Sequence, residues 1–385
     1  MQVLALNSGS SSLKFGLYRV SSADTVCLIS GDAAHTDSAH TAFHAEDAQG
    51  QTVLHETTLV TAPQAMVARI ASLLADSHLA MPQAIGHRIV HGGPGLRRID
   101  KAVISALENA TDFAPLHTPS ALAAIRYAMV HFPGLPQVAC LDTCFHAAMP
   151  RVARTLALPR EVQAAGIQRY GFHGLSCQSI VHQLAEALPE RLVIAHLGNG
   201  ASITAVRRGV SIDTSMGLTP TGGLLMGTSS GDLDPGVLVH LMRTRTLDAN
   251  GLDDLLNHHS GLLGISALSA DMRALHAAAA THEDAALAIA MFCYGSAKHI
   301  GAMAIALGGI DQLVFTGGIG EHDRLVRASI CTQLSCLGIA LDDARNTLGN
   351  GLISHTASRC AVQVLASQED AQIARHTWIL ATAHH

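Results

Sequence analysis

The sequence predicts an α/β protein with parallel or mixed sheets, and three observations support this fold class. Short apolar strands alternate with helical patterns along the chain, which is typical of α/β proteins. Two strand–turn–strand segments share one plan, one in each half of the chain, which indicates an internal duplication. The length of 385 residues favours two domains, because a domain usually has roughly 150 residues.

The individual elements follow from local pattern. The first hairpin has apolar strands at 3–6 and 13–18 around a polar turn at 7–12, and the second has strands at 192–195 and 201–206 around a turn at 196–200. A third strand runs into a glycine-rich segment. That strand covers 312–316, and the predicted helices cover 63–75, 121–131 and 285–307. Prolines at 133, 136 and 150 mark a plausible crossing between the two halves.

Composition excludes several classes of protein. With 24 Lys and Arg against 30 Asp and Glu, the formal charge is −6, and the chain is 48% hydrophobic and 14% charged. This balance opposes disorder, and the lack of a basic run argues against nucleic acid or an anionic membrane as the main partner. The apolar stretch 285–310 carries Lys298 and His299, which favours a buried helix over a membrane span.

The N-terminus has no basic region or long apolar run, so we expect no secretory signal and a cytoplasmic location. Eight cysteines are scattered without a C-x-x-C pair, which predicts reduced and mostly buried thiols.

Three turns rich in Gly, Ser and Asn follow apolar strands, at 7–12, 196–200 and 317–320. Small residues let backbone N–H groups approach phosphate oxygens, and Lys14 adds a positive charge beside the first turn. A single glycine turn is more often structural, but three in a duplicated frame favour phosphate binding. The sequence has neither G-x-x-x-x-G-K-[ST] nor a G-x-G-x-x-G after a strand, so nucleotide would be bound in another way.

Asp142 follows the apolar run 138–141, at the predicted carboxyl end of a strand. Such carboxylates commonly face ligands, although a helix N-cap is an equal alternative. Arg88 lies in a nearly uncharged stretch and is either a structural ion-pair partner or a clamp for carboxylate or phosphate. His173 and His196 attract interest from their glycine-rich surroundings. No H-E-x-x-H occurs, so a dedicated transition-metal site is not expected.

Taken together, the ordered motifs resemble those of the acetate/propionate kinase family from end to end. The motifs that carry the resemblance are NSGSSSLKF at 7–15, GHRIVHGG at 86–93, DT at 142–143 with FH at 145–146, YGFHG at 170–174, HLGNGAS at 196–202, DTSMG at 213–217, MGT at 226–228, GDLDP at 231–235, FTGGIGE at 315–321, and Glu369 before IAR at 373–375.

The resemblance implies two duplicated actin-like ATPase domains, with mixed sheets and flanking helices, around a central cleft. We expect an N-terminal domain over 1–147, completed by the C-terminal helix 371–385, and a nucleotide-binding domain over 148–370. The implied activity is reversible, Mg²⁺-dependent transfer of the ATP γ-phosphoryl group to acetate, giving acetyl phosphate and ADP by direct transfer in the cleft. Mn²⁺ can substitute for Mg²⁺ in this expectation, and a homodimer is implied.

The resemblance also implies residue roles. Asn7 and Glu369 would hold Mg²⁺, Arg88 would bind the substrate carboxylate, and His173 would stabilise the transferring phosphoryl group. The other implied positions are, for ATP, Lys14, His196, Leu197, Gly198, Asn199, Gly200, Asp271, Met272, Arg273, Gly318, Ile319, Gly320, Glu321 and His322, and, for the alkyl end of the substrate, Val90, Leu116, Phe172 and Pro220. Asp142 would be the acid/base group. Because a carboxylate nucleophile has no proton to lose, we interpret Asp142 mainly as a group that orients Mg²⁺ or its waters.

The chain departs from the family pattern at several positions. Ser229 stands where the pattern has an arginine that stabilises the transition state, and Gly222 stands where it has a glutamate. Thr118 and His322 each replace an asparagine. Two alternatives stay open beside acetate kinase. One is a propionate or butyrate kinase, since one methylene changes binding by only about 1–3 kcal/mol. The other is a nucleotide-binding relative with weakened catalysis, which Ser229 favours.

Overall fold

The computed structural model describes residues 1–9, 12–35, 41–58, 63–76, 81–93, 95–111 and 118–383. The chain divides into two compact units, of which the first comprises Met1–Phe145, Gly174–Ser179 and Gln368–His385, and the second comprises His146–His173 and Ile180–Ser367. The expected boundaries were 147/148 and 370/371. The observed division lies at Phe145 and Gln368, and it also assigns the short segment Gly174–Ser179 to the first unit.

The first unit has a sheet of eight strands among the described residues, in the order β5-β4-β3-β2-β1-β6-β8-β7. The strands are β1 Gln2–Ser8, β2 Ser12–Val20, β3 Thr25–His35, β4 Thr41–Asp47, β5 Thr52–Thr58, β6 Ala84–Ile89, β7 Arg97–Arg98 and β8 Gln137–Leu141. Strands β1, β6 and β8 are parallel, whereas β1 to β5 form an antiparallel meander.

The second unit has a sheet of six described strands, in the order β11-β10-β9-β12-β14-β13. The strands are β9 Arg191–Leu197, β10 Ala201–Arg207, β11 Val210–Thr214, β12 Gln312–Thr316, β13 Gly351–Leu352 and β14 Ala361–Val364. An antiparallel meander β11-β10-β9 continues into parallel β12 and β14, as β3-β2-β1 continues into β6 and β8. The predicted duplication is therefore visible strand by strand, and both predicted hairpins are confirmed.

The helices cover both units. They are α1 Pro63–Asp76, α2 Lys101–Asn109, α3 Thr118–His131, α4 Arg151–Arg154, α5 Arg160–Ala164, α6 Gly174–Leu184, α7 Pro235–Arg245, α8 Ala249–His258, α9 Gly261–Ser266, α10 Met272–Ala278, α11 Glu283–Leu307, α12 Gly317–His322, α13 Arg324–Gln333, α14 Asp343–Leu348 and α15 Glu369–Thr382. The three helices predicted from sequence correspond to α1, α3 and α11.

The first sheet is buried on both faces, and residue parity decides which side chain meets which helix. On β1, Leu4 and Leu6 belong to a core that also contains residues of α1 and α3, whereas Val3 and Ala5 pack with Ile373 of α15. Near-continuous apolar strands are typical of sheets covered on both sides. The parity also means that the polar residue after Leu6 faces α15.

Helix α11 is the longest helix among the described residues of the second unit. By length and composition alone, it is long and apolar enough to span a membrane. One face, including Ala288, Phe292 and Ile300, is buried, and the helix packs on β9, β10 and β11. Met291 and Tyr294 lie on the exposed face. The helix thus packs as a core helix on one side, while its other side is more exposed than the sequence suggested.

All eight cysteines are free thiols, as expected from their spacing. Five are buried and two are half-buried, but Cys336 is exposed. Burial raises the pKa of Cys140 to about 12, so this thiol is inert at neutral pH.

His87 lies fully buried on β6 and makes stability depend on pH. Its Nε2 is 2.7 Å from Gln137 Oε1, and burial lowers the pKa of His87 to about 4 from the ordinary 6.5. Between these values the unfolded chain binds a proton that the native chain does not, so the free energy of unfolding falls as pH decreases from about 6.5 to about 4. The difference corresponds to about 3 kcal/mol.

Between about pH 6.5 and 4, we therefore expect the free energy of unfolding of His87→Gln to fall by about 3 kcal/mol less than that of the wild type. Urea unfolding measured at several pH values tests this, with His240→Gln on the exposed surface of α7 as the control. Parallel pH dependences in the wild type and His87→Gln would contradict the expectation.

Candidate active site

The first unit brings Asn7, Arg88 and Asp142 together at the carboxyl edge of its parallel strands. Alternate residues of a strand point to the same face of the sheet. Asn7 therefore shares a face with Val3 and Ala5, and Asp142 shares one with Val138 and Cys140. This is the face covered by α15. Gly86, two residues before Arg88, has no room for a Cβ because Thr377 and Ile373 of α15 lie against it. Since β1, β6 and β8 are parallel neighbours, the three polar residues meet at one edge.

These side chains form one hydrogen-bonded chain. Arg88 Nε and Nη2 donate to Asp142 Oδ2 at 2.9 and 2.8 Å, and Arg88 Nη1 donates to Asn7 Oδ1 at 3.3 Å. Asn7 Nδ2 donates to Glu369 Oε2 at 3.1 Å and to Asp370 Oδ1 at 2.9 Å. Both acids lie in the first turn of α15, where the helix dipole favours negative charge.

Burial and charge shape the electrostatics of this chain. Burial raises the pKa of Asp142, which has 0% exposure, and the Arg88 guanidinium opposes that rise. Burial also raises the pKa of Asp370, although the hydrogen bond from Asn7 lowers it in part. For Arg88, burial alone would lower the pKa, but the nearby carboxylates, above all Asp142, outweigh it and raise the pKa. The arginine is therefore firmly charged.

The oxygen atoms of this edge suit a hard divalent cation. Asp142 Oδ1 is buried and makes no hydrogen bond of normal length and angle among the described residues, although the nearby Leu175 N–H helps to lower the pKa of Asp142. Glu369 and Asp370 add carboxylates. Two cations lie near these three acids: Arg88 and Lys14 both act on Asp370, and Lys14 is opposite Asn7 in the register of β1 and β2. No group of three or more His, Cys, Asp or Glu among the described residues forms a ready-made metal cage. This combination fits Mg²⁺, which usually takes one or two carboxylates, waters and substrate phosphates.

In the second unit, the glycine turn at 198–200 and the first turn of α12, at 317–320, follow two adjacent parallel strands. The third turn predicted from sequence is therefore the start of a helix. Thr316 at the end of β12 is in register with His196 near the end of β9. A Cβ on Gly198 would lie 3.9 Å from Gly318 N, so the two turns are close together. Gly317 has φ +78°, and a side chain there would lie 2.8 Å from Leu197 O. The local sequence therefore builds one glycine-lined edge with backbone N–H groups.

Glu321 holds the second of these turns. Its Oε1 accepts from Gly317 N at 2.8 Å and from Ser367 N at 3.0 Å. Buried Arg327 donates to Gly320 O and Glu321 O at 2.9 and 2.8 Å, which fixes the far end of α12. Glu321 is thus engaged with backbone, whereas His322 is exposed.

His173 and His196 lie face to face in the second unit. Their ring centroids are 4.2 Å apart with an interplanar angle of 27°. His173 has a left-handed backbone, with φ 56°, directly before α6. Its Nδ1 is 3.0 Å from Ser202 Oγ.

Asp271 and Arg273 are paired with each other at the start of α10. Arg273 Nη2 lies 2.6 Å from Asp271 Oδ2, and Asp271 Oδ1 also accepts from Arg273 N at 2.8 Å. The Arg273 side chain is 91% exposed, and Met272 between them is buried. The pairing with Arg273 lowers the pKa of Asp271.

The residues predicted for the substrate's alkyl end fall in both units. Val90 in the first unit and Phe172 in the second are buried, with 6% and 1% exposure. Pro220 in the second unit is half-buried. Leu116 lies outside the described residues.

Two of the four positions that depart from the family pattern, Gly222 and Ser229, lie in the segment between β11 and α7. Ser229 closes a turn in which Met226 N donates to Ser229 O at 2.9 Å, and Gly227 N donates to Asn199 O at 3.0 Å. This loop therefore rests on the 198–200 turn. Gly222 has room for a Cβ, which would lie 3.5 Å from Asp232 Oδ1. Thr118, at the start of α3, is buried and its Oγ1 has no partner among the described residues.

Two further residues were missed by sequence reasoning. Asp370 shares Asn7 with Glu369, and the acidic pair at the start of a helix was the available signal. Arg327 is fully buried at 1% exposure, and nothing in its sequence surroundings distinguishes it from a surface arginine.

Residues 2–375 match the model of the acetokinase family. The chain belongs to the acetokinase family. It is 42% identical to "Acetate kinase 2" of Neisseria meningitidis serogroup B, with 98% of each chain covered. It is also 41% identical to the acetate kinase of Rhodopseudomonas palustris, again over 98% of both chains. The resemblance expected from the motifs is confirmed.

Solved structures of the family share the fold. A propionate kinase from Francisella tularensis matches with a TM-score of 0.90 at 34% identity, covering 98% of this chain and 99% of that one. The acetate kinase of Porphyromonas gingivalis matches with a TM-score of 0.86 at 36% identity, covering 99% and 100%. The predicted mixed α/β fold class is thereby confirmed.

Proposed function

We propose that this protein is an acetate kinase, which transfers the γ-phosphoryl group of ATP reversibly to acetate. In the forward direction an acetate oxygen forms a bond to the γ-phosphorus, the bond from that phosphorus to the β,γ-bridging oxygen breaks, and ADP leaves with the electron pair. The observation that carries the proposal is the hydrogen-bonded chain from the buried Asp142 through Arg88 and Asn7 to Glu369, in a protein matched to the family over residues 2–375.

In this proposal Arg88 binds the carboxylate of the acid. Three of the five guanidinium N–H groups are used by Asp142 and Asn7, which leaves two for a carboxylate. Asp142 keeps the guanidinium in place and charged. Val90, Leu116, Phe172 and Pro220 are proposed to enclose the alkyl end.

Asn7, Asp142, Glu369 and the newly found Asp370 are proposed to hold Mg²⁺, or Mn²⁺ in its place. When bound, the metal would neutralise charge on the ATP phosphates. Among the described residues, Asp142 Oδ1 is buried and accepts no hydrogen bond of normal geometry, so it can serve as a metal ligand. We propose this orienting role for Asp142 rather than proton removal, because acetate is ionised at neutral pH.

The glycine-lined edge of the second unit is proposed to bind ATP. Its N–H groups at 199–200 and 318–320 suit phosphate oxygens, whereas Gly198 N already donates to Gly200 O at 3.0 Å and shapes the turn. Lys14 from the first unit would add charge. His196, Leu197, Asp271, Met272, Arg273, Glu321 and His322 would complete the nucleotide site. Glu321 would act by holding the turn, since its carboxylate already accepts two backbone N–H groups. His173 would donate a hydrogen bond to the transferring phosphoryl group.

The preferred acid is part of the proposal. The family match includes a structure named propionate kinase, so acetate, propionate and butyrate must be compared.

We also propose a cytoplasmic location and a homodimer. Sedimentation at several protein concentrations tests the homodimer. The alternative of a weakened relative rests on Ser229 alone.

A coupled assay for ADP release tests the function. With Mg²⁺ and ATP, we expect ADP release only when a short-chain acid is added, with equal amounts of acyl phosphate trapped by hydroxylamine. Acetate should give the highest kcat/KM of the three acids. ADP release that does not depend on the added acid, or the absence of any ADP release, would overturn the proposal.

A further inference from the structure

His173 has a left-handed backbone conformation and does not cap the helix that follows it through its side chain. It is one of five non-glycine residues with positive φ among the described residues, a conformation that costs about 1–3 kcal/mol and is frequent at functional sites. It also precedes α6 without capping it through its side chain. The local sequence therefore gains nothing by placing histidine there for the helix alone.

The imidazole is held from two directions by one cross-strand pair. Ser202 on β10 is directly opposite His196 on β9. The Ser202 hydroxyl contacts the Nδ1 edge of His173 at 3.0 Å, while the His196 ring lies against its face at 4.2 Å. Ser202 is 1% exposed, so no water competes easily for that hydroxyl.

The held ring directs its other nitrogen toward the glycine-lined turn. A Cβ on Gly200 would lie 3.2 Å from His173 Nε2. Even alanine would crowd this nitrogen, so glycine at 200 leaves space for it. The ring orientation set by Ser202 is therefore the orientation in which Nε2 faces the turn proposed to bind phosphate.

We propose that Ser202 is a positioning residue for His173, keeping its Nε2–H directed at the transferring phosphoryl group. In the proposed arrangement the Ser202 hydroxyl donates to Nδ1 of the neutral ring, which leaves the proton on Nε2, and it accepts from Nδ1–H when the ring is protonated. The inference rests on the proposed function, since it assigns a purpose to His173 in phosphoryl transfer.

The first test is kinetic. We expect Ser202→Ala to lower kcat roughly 10- to 100-fold, as small misplacements of a reacting group do, with KM for acetate changed less than twofold. Ser202→Thr, which keeps the hydroxyl, should restore most of kcat, and Ser202→Cys covers the case in which alanine disturbs folding. In a His173→Ala background, Ser202→Ala should change kcat less than twofold.

The matched control is Thr204→Val, two residues along the same strand. Thr204 is fully buried and its Oγ1 is 3.0 Å from Thr214 Oγ1, so the variant removes a similar buried hydroxyl away from His173. We expect it to lower thermal stability but not kcat. Wild-type kcat in Ser202→Ala, or an equal loss in the His173→Ala background, would overturn the inference.

A second readout does not depend on activity. Ring-nitrogen NMR, with His173 assigned by comparison with His173→Gln, should show a changed Nδ1 environment in Ser202→Ala and an unchanged one in Thr204→Val. If the wild type shows no acid-dependent ADP release, the proposed function fails while this spectrum still tests the contact. An unchanged His173 signal in Ser202→Ala would contradict the contact itself.

Discussion

Replacing Arg88 by alanine should reduce acid-dependent ADP release by roughly 10²- to 10⁴-fold in kcat/KM. The range corresponds to the loss of two hydrogen bonds to a carboxylate, each worth about 1.5–3 kcal/mol when a charge is involved. Arg88→Lys should recover little, because a lysine cannot reproduce the planar fork that now contacts Asp142 and Asn7.

The same substitution should also destabilise the protein. Asp142 has 0% exposure. Removal of Arg88, its ion-pair partner among the described residues, leaves a buried carboxylate uncompensated. Breaking such a pair typically costs about 3–5 kcal/mol. Arg88→Ala combined with Asp142→Asn should regain part of this stability without regaining activity, which separates the two effects.

Arg69→Ala is the matched control. Arg69 Nε lies 2.6 Å from Glu56 Oε1, but both side chains are about one-third exposed, at 33% and 31%. We expect Arg69→Ala to lower the free energy of unfolding by less than about 1 kcal/mol and to leave kcat and KM unchanged. Urea unfolding and the ADP assay measure both quantities. Equal losses of stability in Arg88→Ala and Arg69→Ala would contradict the role given to the buried pair.

Introducing arginine at position 229 should raise the rate of acetyl phosphate formation. A transition-state arginine can be worth roughly 10³ to 10⁵ in phosphoryl transfer, and we expect at least a tenfold rise in kcat for Ser229→Arg. The loop that carries Ser229 is tied to Asn199 by one backbone hydrogen bond from Gly227 N, so the new side chain would start from a fixed base. Arg88 is held by Asp142 and is proposed to bind the acid, and Arg273 lies at the surface beside Asp271, so neither is assigned the role of the missing arginine.

Ser229→Gln is the control, because it adds length without charge. Gly222→Glu alone should be unfavourable, since the new side chain would begin 3.5 Å from Asp232 Oδ1. With Ser229→Arg it can form an ion pair, and the double variant shows whether the two departures are coupled. No rise in acetyl phosphate with Ser229→Arg, alone or with Gly222→Glu, would show that the missing arginine does not limit the rate.

The sequence allowed the duplicated part of the fold to be predicted, for a clear physical reason. Each hairpin combines apolar strands with a polar turn, and those signals are local. The outer meander β3 to β5 was missed. Its strands alternate buried residues such as Phe43 and Ala45 with polar ones, a weaker signal than a continuous apolar run.

Residue types could be predicted better than their contacts. Arg88 and Asp142 were each left with a structural alternative, and the structure shows that they are each other's partners. Strand parity and parallel order bring them together, and neither follows from one sequence position. Asp370 and Ser202 were missed because their importance comes from Asn7 and His173, which are far from them in sequence.

Phosphorus NMR of the protein with Mg²⁺, ATP and acetate tests the central claim most directly. We predict that acetyl phosphate and ADP appear in equal amounts, and that acetyl phosphate and ADP mixed with the protein yield ATP. Release of inorganic phosphate with ADP, without any acetyl phosphate, would contradict the claim that this protein transfers phosphoryl groups to a short-chain acid.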